Sequence, residues 1–131
     1  MQRRDVVAPR EPSSTAARTA RAHYEGRVSE AARLQHPVVV DCLFGYGLSR
    51  AVEGPFAELL EELGANDCYR IAIDVPSAVE SDSGRVLGPL PRYDLTLALG
   101  AWKQAHALMP AVARMGALRR VPIGIETGGG T

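Results

Sequence analysis

Ile71-Ala72-Ile73-Asp74-Val75-Pro76-Ser77 has an earlier counterpart in Val38-Val39-Val40-Asp41. Each is a short apolar run that ends on an aspartate. Uninterrupted runs of this kind, with no polar alternation, belong to strands buried on both faces of a parallel sheet. Between them, residues 54–64 read as a helix. Gly54 precedes it, and Pro55 suits the first helical position, where no N–H is needed. Phe56, Leu59, Leu60 and Leu63 form one apolar stripe, Glu58, Glu61 and Glu62 face water, and Gly64 suits a left-handed cap. A third strand is expected at Leu95 to Leu99 and a fourth near Val121 to Ile125. Residues 104–115 read as a short helix or an irregular crossover, because Pro110 interrupts a continuous helix. Upstream, Ser13 or Ser14 can cap a helix carrying Ala16, Ala17, Ala20 and Tyr24, which Gly26 can end. Short strands alternating with helices predict a mostly parallel α/β sheet.

The composition narrows the function classes. The 131 residues hold 46% apolar and 23% charged side chains, an ordinary globular balance with room for one core. Fifteen basic residues match fifteen acidic ones, so the basic excess that a nucleic-acid binder uses against phosphates is absent. Asp41, Asp74 and several glycines cut the apolar runs, so no membrane span is expected. Cys42 and Cys68 fit neither a zinc spacing nor a redox motif and are expected as two small buried or half-buried thiols. The start is rich in Arg, as transit peptides are, but Asp5 and Glu11 argue against that and a cytoplasmic setting is expected. Residues 1–36 differ from the rest, with seven Arg against four acidic residues. Residues 127–131, which include Gly128-Gly129-Gly130, read as a flexible tail.

If the strands are parallel, Asp41, Asp74 and Lys103 leave the sheet at its carboxyl edge, where open α/β sheets bind ligands. A strand-end Asp also caps turns; two such endings in one small chain raise the functional reading. Gly45 and Gly47 let the backbone approach a ligand, but the third glycine of a dinucleotide fingerprint is lacking. Lys103 is the only lysine, suited either to a phosphate or to orienting a carboxylate. His106 is an acid–base candidate or a packed, capping side chain. Ser77 lacks the context of a hydrolase nucleophile and suits oxygen ligation or a turn; a hard cation held by Asp41 and Ser77 is consistent with these types.

These residues resemble a known family. Asp41 to Arg50, with Gly54-Pro55-Phe56 in register, looks like its aspartate–glycine loop. Ile73 to Ser77 resembles its second signature, which Ser81-Asp82-Ser83-Gly84, Val86 and Gly88 extend. Asp94 to Leu97 with Gly100, Lys103 and His106 resembles its third, and Ile123-Gly124-Ile125 its last strand. The family is that of the NAD(P)H-hydrate epimerases, the YjeF N-terminal domain type, and the likeness covers about residues 38–126. It implies a Rossmann-like three-layer α/β/α sandwich, with residues 1–131 one such domain, incomplete at its N-terminus because the family's asparagine–glycine loop has no counterpart here.

The resemblance implies interconversion of the R and S epimers of hydrated NADH or NADPH. It implies a potassium ion held by Asp41 and Ser77, and substrate contacts from Gly45, Tyr46, Gly47, Leu48, Ser49, Arg50, Ala51 and Asp74. Asp74 is the expected acid–base carboxyl, with Lys103 orienting it. Partners implied are a dinucleotide, an NAD(P)H-hydrate dehydratase as partner or fused domain, and a second copy in a homodimer. Two family glycines are replaced, by Ala78 and Ala105; at a position needing positive φ, alanine costs about 1–2 kcal/mol. The competing expectation is a nucleotide-binding remnant or regulatory domain of the same fold without catalysis.

Overall fold

The computed structural model describes residues 5–26, 28–29, 34, 36–44 and 48–124. The chain divides into two compact units, residues 1–33 and 34–131. In the first, strands β1 (Val6–Val7) and β2 (Val28–Ser29) pair in parallel, and helix α1 (Thr15–Ala22) lies between them in sequence. Ser14 caps α1, its hydroxyl accepting from Ala17 N at 3.1 Å, as the sequence indicates. Two arginines of this unit turn to local partners: Arg18 donates to Pro12 O at 3.0 Å, and Arg21 pairs with Glu11 at 3.5 Å.

The second unit is built on four parallel strands in the order β3 (Val38–Asp41), β4 (Tyr69–Ile73), β5 (Leu95–Leu99) and β6 (Ala117–Val121). Strand order equals chain order, so each crossover steps to the adjacent position. Helix α2 (Gly54–Ala65) makes the first crossover. Its Leu60 and Leu63 pack with Val52, Ala72, Ala78 and Tyr93 in one core cluster. A second cluster, Val75, Val79, Ala105, Ala111 and Met115, is made by the segments that follow β4 and β5. The crossover to β6 is two single 3₁₀ turns, Gln104–Ala107 and Ala111–Arg114, separated near Pro110 as expected. This is the α/β fold with a parallel sheet that the strand pattern predicts.

Four expectations are corrected. Val38 and Val40 of β3 are 51% and 50% exposed. Only the side carrying Val39 meets the core, so this strand is not buried on both faces. Gly64 does not cap α2 in a left-handed turn; the helix runs on to Ala65. Its last carbonyls are closed by Arg70, which donates to Leu63 O at 2.7 Å and Gly64 O at 3.2 Å and also to Asn66 O. A guanidinium with five donors replaces the glycine device. The last strand is Ala117–Val121 rather than Val121–Ile125, because Pro122 has no N–H to continue the ladder. Ile125 and the tail 127–131 lie outside the described residues. Cys42 is exposed; only Cys68 is half-buried, and both are unpaired.

Gly116 enters β6 at φ +69°, and a Cβ there would stand 2.4 Å from the Asp94 carbonyl. Gly54 has a similar φ of +63° with open space around it. Gly54→Ala should therefore cost about 1–2 kcal/mol from backbone strain alone, and Gly116→Ala clearly more. Urea unfolding checks both, with lowered midpoints at unchanged slope.

Candidate functional site

The carboxyl edge of β4 carries an unusual backbone. Asp74 N still donates to Leu97 O at 2.7 Å, so the ladder runs one residue past Ile73. The chain then turns with Asp74 at φ +70°, the one non-glycine in that region among the described residues. Such a conformation costs about 1–2 kcal/mol and persists only where its surroundings hold it. The Asp74 side chain takes over where the ladder stops, its Oδ1 accepting from Leu99 N at 3.2 Å.

Lys103 ion-pairs with the same Oδ1. Its ammonium also donates to Leu99 O at 2.8 Å and Ala101 O at 3.0 Å. An ammonium has three protons, and all three are thus directed inward. The ammonium is thus occupied by the protein's own oxygens. Asp74 Oδ2 bonds to nothing among the described residues, and no buried side-chain oxygen there lacks a partner. Asp74 is 7% exposed, so Oδ2 is the carboxylate oxygen left for solvent or a ligand.

Asp41 ends β3 and organises a second network. It is 4% exposed. Leu43 N donates to Oδ1 at 3.2 Å and Ser77 N to Oδ2 at 3.1 Å. The Ser77 hydroxyl donates to Oδ1 and the Tyr93 hydroxyl to Oδ2. Four donors satisfy the acceptor sites of one carboxylate, which is what a buried charge requires. Burial, then the adjacent Asp41 charge, pushes the Tyr93 phenol far above its ordinary range, so it stays a neutral donor. The Cys42 thiol is raised as well, by partial desolvation and then by the adjacent Asp41 charge although the residue as a whole is exposed, so Cys42 is not an activated nucleophile.

The donor set can be compared with a hard monovalent cation, which prefers oxygen ligands. Ser77 Oγ has two acceptors for its single proton, Asp41 Oδ1 and Phe44 O at 3.3 Å. Phe44 N donates to the same Oγ at 3.0 Å. Turning the proton to Phe44 O would free one lone pair on Asp41 Oδ1 beside Ser77 Oγ. A carboxylate, a hydroxyl and a carbonyl oxygen are thus neighbours, and these are the ligand types such an ion takes.

Of the expected glycine loop, Gly45, Tyr46 and Gly47 lie outside the described residues. Leu48 is half-buried, while Ser49, Arg50 and Ala51 are exposed on the segment that follows Asp41. Val52 N donates to Leu87 O at 2.8 Å and pins the far end of that segment. Ala78 and Ala105 are buried without positive φ, so neither is strained. His106, 5% exposed, bonds through both ring nitrogens to main-chain atoms of Lys103 and Asp74. Sequence reasoning missed Tyr93, whose partner lies 52 residues away, and no local pattern announces such a contact. A cleft of about 300 Å³ lined by Leu60, Gly64, Arg70, Leu90 and Arg92 lies elsewhere, and the carbonyl bonds of Arg70 leave it poorly suited to grip an anion there. No group of three or more His, Cys, Asp or Glu placed for a metal occurs among the described residues, and none of their helices is long and apolar enough to cross a membrane.

The sequence model of the YjeF-related protein N-terminus matches residues 5–105. The bifunctional NAD(P)H-hydrate repair enzyme Nnr of Thermosynechococcus vestitus is 41% identical over 90 residues, 69% of this chain and 18% of that protein. The enzyme of the same name from Gloeobacter violaceus is 35% identical over 130 residues, 94% of this chain and 25% of its own length. The NAD(P)H-hydrate epimerase of Limosilactobacillus fermentum is 37% identical over 60 residues, 46% of this chain and 29% of that protein. The chain thus spans less than a third of the length of each of these relatives.

Tyr93→Phe removes one of the four donors from a buried carboxylate. It should lower stability by about 1–3 kcal/mol, read as a reduced melting temperature. A variant as stable as the parent would mean that Asp41 does not need the phenol.

Proposed function

The chain belongs to the YjeF-related protein N-terminus family, and from that membership we propose that it is an NAD(P)H-hydrate epimerase, an isomerase of damaged nicotinamide cofactors. It interconverts the R and S epimers of hydrated NADH and NADPH. The observation that carries the reading is Asp74, a carboxylate held in a strained turn at the sheet's carboxyl edge, with one oxygen fixed by Lys103 and the other reachable. The names of the relatives, NAD(P)H-hydrate repair enzyme and NAD(P)H-hydrate epimerase, supply the substrate class.

The chemistry suits a carboxyl group. The substrate hydroxyl sits on a carbon beside the ring nitrogen, whose lone pair can assist its departure. Asp74, in its protonated form, gives its proton to the leaving oxygen, which departs as water and leaves an iminium-like ring. Water added to the opposite face returns a proton to the carboxylate and gives the other epimer, so atoms and charge balance. Positioned acid–base help of this kind contributes about 10²–10⁴-fold. Lys103 positions Asp74 by holding Oδ1, and the segment Gly45, Tyr46, Gly47, Leu48, Ser49, Arg50 and Ala51 contacts the dinucleotide.

A potassium ion held by Asp41 and Ser77 belongs to the same reading, supported by their adjacent carboxylate and hydroxyl oxygens; when bound, it would supply positive charge for an anionic substrate. Residues 1–131 act as one domain of this type in a cytoplasmic setting, paired or fused with a dehydratase that consumes the corrected epimer.

The test starts from the single R epimer of hydrated NADPH and follows the S epimer by chromatography. Conversion well above the spontaneous rate is expected, and Asp74→Asn should lose about 10²-fold or more. An Asp74→Asn variant at full rate removes the carboxyl from the mechanism. Binding without conversion by the parent chain would establish the non-catalytic reading instead.

A further inference from the structure

His106 lies 32 residues from Asp74 in sequence, yet the two meet in the buried layer under the carboxyl edge. Lys103 N stands 2.9 Å from His106 Nδ1. A main-chain amide can only donate, so Nδ1 is the nitrogen with the free lone pair. On the other side of the ring, Nε2 stands 2.6 Å from Asp74 O. A carbonyl oxygen can only accept, so Nε2 carries the proton. One tautomer satisfies both contacts. The other neutral tautomer would face donor with donor and acceptor with acceptor, and a charged ring would set a proton of Nδ1 against the Lys103 amide.

We infer that His106 is a positioning residue, a neutral imidazole that ties the left-handed main chain of Asp74 to the segment carrying Lys103. The ring reaches both members of the ion pair through their backbones. At Asp74 it engages the carbonyl of the residue at φ +70°. At Lys103 it fixes the amide that opens the 3₁₀ turn, whose own backbone carries the ammonium back to Oδ1. With both nitrogens engaged in main-chain bonds, the imidazole has no proton to exchange with a ligand. The ring also makes an edge contact with Trp102, centroids 5.5 Å apart and planes at 80°, and the residue is 5% exposed. Removing the clamp frees the turn to relax from its strained conformation, and Oδ2 then loses its fixed direction. Misplacement of about 1 Å is enough to cost on the order of 10²-fold in rate.

The inference rests on the proposed role of Asp74, and two kinds of measurement keep the two apart. In the parent chain, two-bond proton–nitrogen NMR of the imidazole should show the proton on Nε2 and a bare Nδ1 at neutral pH. A proton on Nδ1, alone or in addition, overturns the clamp. The Lys103 amide should be protected from hydrogen exchange in the parent and lose that protection in His106→Leu; unchanged protection overturns it as well. In epimerisation, His106→Leu should lower kcat by about 10²-fold with KM within about threefold. His106→Gln, whose amide can donate and accept but cannot act as an acid or base, should recover most of the loss. A Gln variant as slow as the Leu variant, or a Leu variant at the parental rate, overturns the positioning role. If the parent chain itself does not epimerise, the epimerase reading falls, and the tautomer and amide exchange still decide the clamp.

Discussion

Four donors converge on the buried carboxylate of Asp41, and they come from three separate stretches of chain: the start of the loop after β3, the turn after β4 and the residue before Asp94. A charge that is 4% exposed has given up most of its hydration, a penalty of several kcal/mol unless the protein replaces the lost water. Hydrogen bonds to an ionised acceptor are the strong ones, so the replacement also fixes geometry. Ser77 is held through both its amide and its hydroxyl, so displacing the residue would strip two donors from the Asp41 carboxylate. Three residues earlier, Asp74 is held by the β5 ladder through its amide at 2.7 Å. The short run from 74 to 77 is therefore pinned at both ends. This is how a non-glycine residue remains in the left-handed region at the point where the reachable carboxylate sits.

Much of this was legible in the residues because a buried parallel strand announces itself. Ile71–Ile73 and Leu95–Leu99 lie in strands at the expected positions, and both end at the edge that bears Asp74 and Lys103. Helix α2 was equally plain from Pro55 and the Phe56, Leu60 and Leu63 spacing. The misplacement of β6 has a local cause: Leu118-Arg119-Arg120-Val121 mixes charge into a strand at the edge of this four-stranded sheet, where paired arginines read as loop. Strands β1 and β2, of two residues each, are too short for any periodicity to register. At the site, the types were legible and the pairings were not. Lys103 reads from sequence either as a phosphate hook or as an orienting cation, and no local pattern shows that its ammonium meets Asp74 and the carbonyls of Leu99 and Ala101. Tyr93 was silent because hydroxyl–carboxylate contacts across 52 residues leave no trace in local pattern.

Ala78 and Ala105, which the family resemblance reads as replacing glycines, show where conformational freedom is needed and where it is not. Ala78 is 1% exposed and Ala105 fully buried, and neither takes a positive φ. Each methyl is therefore added core surface rather than strain. Ala78 joins the cluster with Leu60, Leu63 and Tyr93, and Ala105 the cluster with Val75, Val79 and Met115. A glycine at either place supplies flexibility, and losing it stiffens the frame under the carboxyl edge at little conformational cost.

The left-handed turn instead falls on Asp74 itself. On steric grounds glycine would occupy that position at no penalty. A glycine there, however, would leave Leu99 N without the Oδ1 that caps the ladder and Lys103 without its counter-charge. The strain of about 1–2 kcal/mol is thus offset by two interactions that need the carboxylate and need it at this angle. A strand ending in the ordinary β region would direct the side chain of the next residue to one face of the sheet. The positive φ swings it along the edge toward β5, where Leu99 and Lys103 wait. The strained backbone is what converts a turn-capping aspartate into a carboxyl group with one oxygen fixed and the other open.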